Sequence, residues 1–298
     1  MRIFLTGATG FIGSHVIPEL LAGGHSVLGV TRSDQGAKAL VAAGAEPYRG
    51  ALEDPATLAA GAAKADAVIH LAFDHDFSRF VDNCEKDRRV ITAIGEALVG
   101  SGKPFVITSG TGMGNSEPGR PATEDVIQAD NPNPRVASEL TGQKLSEAGV
   151  KVVVVRLPQV HDARKQGLVS PYAMISKQKG LAGYVGDGIN RWPAAHVSDV
   201  ARLYKLAVEQ GEAGERFNAV DEEGVAAKDI AAAIGRGLGV PAVSLMPDEA
   251  AEHYGWLGHF LAMDMPASSA WTRQRLGWRT SGPRLLEDLA AMDYAAFA

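Results

Sequence analysis

Cysteine is almost missing from this chain: Cys84 stands alone among 298 residues. One thiol makes no intramolecular disulfide and builds no metal site of the CxxC type. Long apolar runs are missing too. Stretches such as Val152-Val153-Val154-Val155 fall far short of the roughly 20 residues that span a bilayer. Basic residues are in deficit, with 29 Lys+Arg against 35 Asp+Glu and a formal net charge of -6. That balance, with no basic run, argues against binding nucleic acid by bulk electrostatics. The opening Met1-Arg2-Ile3-Phe4-Leu5-Thr6-Gly7 goes straight into a strand-like run, and Gly7 and Gly10 break any signal-peptide core. These absences predict a soluble, cytoplasmic protein with no nucleic-acid, membrane or metal partner.

What is present is an ordinary globular composition, 46% hydrophobic and 21% charged. Apolar runs predict strands over 2–6, 26–31, 45–49, 66–72, 104–109 and 151–157. Amphipathic stretches between them predict helices over 11–22, 33–43, 55–63, 79–100 and 135–148. Several strands, Ala67-Val68-Ile69-His70-Leu71 among them, show little polar alternation, as in a sheet covered on both faces. The pattern predicts an α/β fold with a doubly wound parallel sheet over 1–157. From 158 to 298 it predicts a smaller, mainly helical lobe, with the boundary soft and some later segments returning to the sheet. Helices are expected there over 198–210, 226–238, 247–263 and 282–297, and strands over 215–220 and 242–246.

The sharpest motif is Thr6-Gly7-Ala8-Thr9-Gly10-Phe11-Ile12-Gly13, which closes the first strand and opens the first helix. Gly7 allows the tight turn, Gly10 lets backbone approach a diphosphate, and Gly13 lets helix and strand pack closely. The free N–H groups at the helix start favour phosphate charge, which makes a Rossmann-type dinucleotide site of this turn. Thr9, Phe11 and Ile12 belong to the same cradle. The second strand ends Val30-Thr31-Arg32-Ser33, without the acid that would hold an unmodified ribose diol. The hydroxyls of Thr31 and Ser33 and the planar Arg32 fork suit a 2′-phosphate, so NADP is preferred, with NAD the alternative.

At this point the chain resembles the extended short-chain dehydrogenase/reductase superfamily, the group of NAD(P)-dependent sugar epimerases and dehydratases. Residues 6–15 (TGATGFIGSH), His70-Leu71-Ala72, Thr108-Ser109, Arg156-Leu157-Pro158-Gln159-Val160, His196-Val197-Ser198-Asp199-Val200-Ala201 and Leu276-Gly277-Trp278 carry the resemblance almost end to end. It implies that Ala72 and Phe73 pass the nicotinamide ribose, that Leu52 lies near the adenine, and that Leu71 and Thr108 also bind the cofactor. Ala51 stands where the family usually has an Asp for the adenine amine, leaving Glu53 or Asp54 to replace it. The resemblance also implies a homodimer through the helices 79–100 and 135–148. His196 and Asp199 are expected to hold the two lobes together.

The family's reaction uses a Tyr and a Lys four residues later, on one helix face. At that place this chain reads Arg135-Val136-Ala137-Ser138-Glu139, and none of its six tyrosines has a Lys four residues on. Arg135 and Glu139 are spaced to pair with each other; Arg135 would anchor or polarise a substrate, and Glu139 would act as base if burial raised its pKa. Ser109 or Thr111 supplies the substrate-orienting hydroxyl. Asp74 and His75, on the loop after the fourth strand, stand at the ligand edge of the sheet. Gln159, His161, Tyr172, Met174, Tyr184, Arg191 and Trp192 supply a substrate wall. Trp256, Leu257, Phe260 and Leu261 have helical spacing and read as core or a partner surface.

Two functions fit. One is an atypical oxidoreductase acting on a small carbonyl or alcohol, its proton coming from Tyr172, Tyr184, His75 or a water on Glu139. The other is an NADP(H)-binding sensor or scaffold without turnover. A third, a sugar-nucleotide epimerase or dehydratase, needs a cationic diphosphate wall that only Arg164, Lys165, Lys177 and Lys179 offer.

Overall fold

Ile3, Phe4 and Leu5 are completely buried, although a strand sends successive side chains to opposite faces. Both faces of the first strand must therefore be covered, and helices cover them. The computed structural model describes residues 1–114, 117, 119–165 and 167–297, with backbone alone for 296 and 297. Its first half alternates β1 (Arg2–Thr6), α1 (Phe11–Ala22), β2 (Ser26–Thr31), α2 (Asp34–Ala42), β3 (Glu46–Arg49), α3 (Pro55–Ala63), β4 (Ala67–His70), α4 (Phe80–Leu98), β5 (Pro104–Gly110), α5 (Val136–Glu147) and β6 (Lys151–Leu157). The second half adds β7 (Gln159–His161), α6 (Val169–Lys179), β8 (Ala182–Val185), β9 (Arg191–His196), α7 (Val197–Gln210) and β10 (Arg216–Asn218). It ends with β11 (Glu222–Ala226), α8 (Ala227–Leu238), β12 (Ala242–Leu245), α9 (Pro247–Tyr254), α10 (Trp256–Ala262), α11 (Ala270–Leu276) and α12 (Leu285–Ala291).

The main sheet runs β10-β6-β5-β4-β1-β2-β3, with every neighbouring pair parallel. The chain starts in the middle, winds outward to β3, then crosses back to β4 and winds the other way. Order reverses between β1 and β4, so the connections leave the sheet in opposite directions there and open a crevice at the strand ends. On one face α1 and α7 bury Val16, Ile17 and Leu20 with Leu203, Tyr204 and Ala207. On the other, α3, α4 and α5 bury Leu58, Ile91, Ile94 and Leu145. A third core, with Val169, Tyr172, Trp192, Ile234, Tyr254 and Leu257, unites the small β11-β9-β7 and β12-β8 sheets with their helices. No described helix is long and apolar enough to cross a membrane.

The segment 158–195, which carries no clear period, contains β7, α6, β8 and β9. Its strands are three to six residues long, too short to write a pattern. The expected helix over 247–263 is broken at Gly255, whose φ of 56° is one that residues with a side chain rarely adopt. The expected helix over 282–297 shrinks to α12, which starts after Pro283.

The expected Arg135–Glu139 pair does not form. Glu139 points into the interior, where Arg156 of β6 donates to it through Nε at 2.8 Å and Nη2 at 2.7 Å. Arg156 is fully buried and also donates to the carbonyls of Thr123 and Val126, tying the loop 111–135 to the sheet. Both carboxylate oxygens of Glu139 are thus taken by Arg156, which gives Glu139 a structural place rather than that of a free base. A Glu139→Gln protein, left with an uncompensated buried guanidinium, should lose about 3–5 kcal/mol in urea unfolding. In a Glu139→Leu background, Arg156→Met should destabilise much less than in the parent.

Candidate active site

The turn after β1 is as close to β4 as backbone allows. Gly7 has a φ of 68°, and a Cβ placed on it would lie 2.8 Å from the Ala72 nitrogen. A Cβ on Gly13 would meet the Gly7 carbonyl oxygen at 2.2 Å, so α1 packs onto the turn only through glycine. At the start of α1 Gly10 provides no side-chain cap, which leaves the first N–H groups of the helix open to an anion. Gly7, Thr9, Gly10, Phe11, Ile12 and Gly13 all line one cleft of about 1320 Å³. That exceeds the usual 300–1,000 Å³ of a single-ligand pocket and leaves room for a dinucleotide and a second molecule. The cradle fits a diphosphate.

Toward β2 the same cleft is lined by Thr31, Arg32, Leu52 and Glu53. Arg32 is exposed and makes no hydrogen bond or ion pair among the described residues. Ser33 is a correction to the sequence reading: its hydroxyl accepts from the Gly36 nitrogen at 3.0 Å, caps α2 and lies outside the cleft. Asp54 likewise caps α3 through Thr57. Glu53 is held by Lys86, which also bonds Asp74, and the Lys86 hydrogen bond lowers both carboxyl pKa values.

At the other end Leu71, Ala72, Phe73, Thr108, Ser109, Thr111 and Arg135 line the cleft. Beneath them runs a buried polar chain. The Ala72 nitrogen donates to Thr6 Oγ1, which lies 2.7 Å from His70 Nδ1; His70 Nε2 lies 3.0 Å from Asp87 Oδ1. Asp87 Oδ2 accepts from Arg135 Nη1 at 2.6 Å and from Ser138 Oγ at 2.7 Å. An ionised carboxylate only accepts, which puts the His70 proton on Nε2. Burial pushes the Asp87 carboxyl up, but the Arg135 charge and the His70 and Ser138 hydrogen bonds outweigh it and hold the pKa at about 2. Arg135 also donates to the Thr108 carbonyl at 2.9 Å and stacks 4.0 Å over the Phe73 ring. Its role is to hold the cleft floor. Ser109 differs: its hydroxyl is buried at the end of β5 and has no hydrogen-bond partner among the described residues.

Other expected substrate residues lie elsewhere. Tyr172 is buried against Tyr254 and donates its hydroxyl to the Gly183 carbonyl, and burial raises its pKa well above the usual value. Tyr184 sits on β8 away from the cleft, beside Gly188. His161 is buried on Asp288, and Met174 is exposed on α6 outside the cleft. Arg191 is paired with Asp264. Trp192 and Gln159 do line the cleft, and no tyrosine does among the described residues. Asp74 and His75 line it as well. Desolvation beside Phe73 and Phe77 and the Arg135 charge lower the His75 pKa, although the residue is exposed. The residue missed from the sequence is Asp87. It falls on the buried stripe of α4 with Asn83, Val90, Ile91 and Ile94, and a carboxylate on an apolar helix face was the available signal.

The sequence signature of the NAD dependent epimerase/dehydratase family matches residues 3–219. An uncharacterized protein of Schizosaccharomyces pombe is 45% identical over 295 residues, covering 99% of this chain and 100% of that one. The sterol-4-alpha-carboxylate 3-dehydrogenase, decarboxylating, of Dictyostelium discoideum is 26% identical over 239 residues, 75% of this chain and 72% of that one. Among solved structures, UDP-glucose 4-epimerase from Thermotoga maritima with UDP-glucose superposes with a TM-score of 0.76, 22% identity and 99% of each chain covered.

Because the Asp87 pKa is depressed on folding, its contribution to stability is present above the unfolded value near 4 and lost as pH falls toward about 2. Asp87→Asn should therefore unfold more easily in urea at pH 7 and lose less further stability than the parent between pH 4 and pH 2.

Proposed function

The chain belongs to the NAD-dependent epimerase/dehydratase family, and within it we propose that it is an NADP-dependent oxidoreductase that reduces a small carbonyl compound or oxidises the matching alcohol. The observation that carries this reading is Ser109. A buried hydroxyl without a partner among the described residues is uncommon, and Ser109 belongs to the lining of the cleft, where a substrate oxygen would complete it. The Dictyostelium relative, a dehydrogenase by name, supports hydride chemistry for the same fold.

The residues fit the cofactor in three places. Gly7, Thr9, Gly10, Phe11, Ile12 and Gly13 would hold its diphosphate, Arg32 with Thr31 a 2′-phosphate, and Leu71, Ala72 and Phe73 its nicotinamide end. Bound there, the reduced cofactor supplies a hydride. Ser109 Oγ donates to the carbonyl oxygen as charge grows on it, and Thr111 lies on the next turn. Removal of Tyr172, Tyr184 and Glu139 from the candidates leaves His75, at the cleft edge, as the group that passes a proton from water to that oxygen. A non-catalytic NADP(H) sensor is the second reading, favoured by the missing tyrosine and the tied guanidinium of Arg135. Substrate-dependent turnover decides between them.

Three outcomes follow from this assignment. Arg32→Ala should raise the Kd for NADPH by about 10- to 100-fold, the worth of a charged hydrogen bond, and change that for NADH little, as read by titration calorimetry. Ser109→Ala should lower kcat for carbonyl reduction by about a hundredfold while leaving NADPH binding intact. Desolvation and the Arg135 charge lower the His75 pKa, so its acid form is lost as pH rises through a value below the usual 6.5. Reduction should slow from pH 5 to pH 8, alcohol oxidation should accelerate, and His75→Gln should flatten both profiles.

A further inference from the structure

The part of the cleft beyond Ser109 is walled by aromatic rings from both halves of the chain. Arg135, bonded to the Thr108 carbonyl, covers Phe73. Phe73 meets Phe80 edge-on at 6.2 Å and His75 at 5.4 Å. Phe77 lies flat on Trp256 at 4.4 Å with an interplanar angle of 8°, and Phe260 stands against both at 6.4 and 6.0 Å. The contacts run from the strand end that carries Ser109 across to α10. In a chain only 6% aromatic, this is a marked concentration. Phe260 packs at the edge of the third core, but Phe73, Phe77 and Phe80 are only half-buried and Trp256 is 39% exposed, whereas Phe4, Phe105 and Phe217 are completely buried. Apolar ring surface left facing water in a cleft gains free energy when a flat apolar molecule covers it.

The polar groups nearby are already engaged. Asn131 donates to the Gly112 carbonyl and to Gln128, Gln159 accepts from the Leu168 nitrogen, and Asp264 holds Arg191. Few remain for sugar hydroxyls. Cations for a second diphosphate are also scarce. Arg164, Lys177 and Lys179 do not line the cleft, Arg32 stands at its far end, and Arg135 is tied to Asp87, leaving Lys165 beside Phe11.

We propose that the substrate is a flat aromatic ketone or aldehyde, its rings against Phe73 and the Phe77–Trp256 stack and its oxygen at Ser109 Oγ. The proposal rests on the reductase reading and specifies its substrate class. In the reaction the carbonyl carbon gains a hydride from NADPH, the C=O π pair moves to oxygen, and the oxygen takes up one proton from water. The products are the alcohol, NADP+ and the hydroxide left by that water.

The test uses the full chain, with and without NADPH, and 2-acetylnaphthalene as probe, with dihydroxyacetone and UDP-glucose for comparison. Binding is read by ligand-observed saturation-transfer NMR and calorimetry, and turnover separately by NADPH absorbance. Saturable binding of the naphthyl ketone is expected, weakened about tenfold in each of Trp256→Leu and Phe77→Leu, with the Kd for NADPH unchanged in both. Equal binding in both variants and the parent would overturn the proposal, as would binding of UDP-glucose without binding of the ketone. Turnover of dihydroxyacetone alone would sink the aromatic class and keep the reductase. Ring-dependent binding of the ketone without turnover of any compound would keep the aromatic pocket and sink the reductase.

Discussion

Asp87 carries a full negative charge inside the protein, where desolvation works against it, and it stays ionised because three neighbours converge on it. Arg135 supplies the charge, and His70 and Ser138 supply hydrogen bonds. Thr6 extends the chain from His70 to the Ala72 nitrogen beside the glycine turn. Removing any member would leave a buried charge or donor without a partner, so the set behaves as a unit. It joins β1, β4, α4 and the start of α5, the elements whose ends form the floor of the cleft. The position of that floor follows from this one electrostatic constraint.

The same constraint divides the labour among the side chains above it. Arg135 is tied to Asp87 and covers Phe73, so it shapes the site, and the buried Ser109 hydroxyl in the same lining has no partner among the described residues. Glu139, one turn further along α5, closes a second buried pair with Arg156 of β6. Two arginines and two carboxylates thus stiffen α5 from both sides. A helix anchored in this way lets the cleft keep its form while its mouth, built from Phe77, Trp256 and Phe260, spans the two halves of the chain.

Much of this was legible in the residues. The Thr6–Gly13 turn between an apolar strand and a helix announced the cradle, because only glycine meets the steric demand that Gly7 and Gly13 satisfy. The alternating apolar runs announced a sheet covered on both faces. The partners of Arg135 and Glu139 were not legible. Their i, i+4 spacing favours a mutual bond on an isolated helix, but α4 and β6 each offer a better-buried partner. Tyr172 and Tyr184 drew notice as phenols in a segment rich in turns, and nothing local says that one donates to Gly183 and the other stands on a separate small sheet.

By itself, then, the sequence determined the doubly wound sheet, the diphosphate cradle and the missing tyrosine–lysine pair, since each is written in short-range spacing or in a residue's own stereochemistry. Only the tertiary structure decided which charges neutralise each other, that the cleft-lining Ser109 hydroxyl lacks a partner among the described residues, and that rings from residues 73–80 and 256–260 share one wall. Those outcomes depend on desolvation and on contacts between segments far apart in the chain, and local patterns carry no record of either.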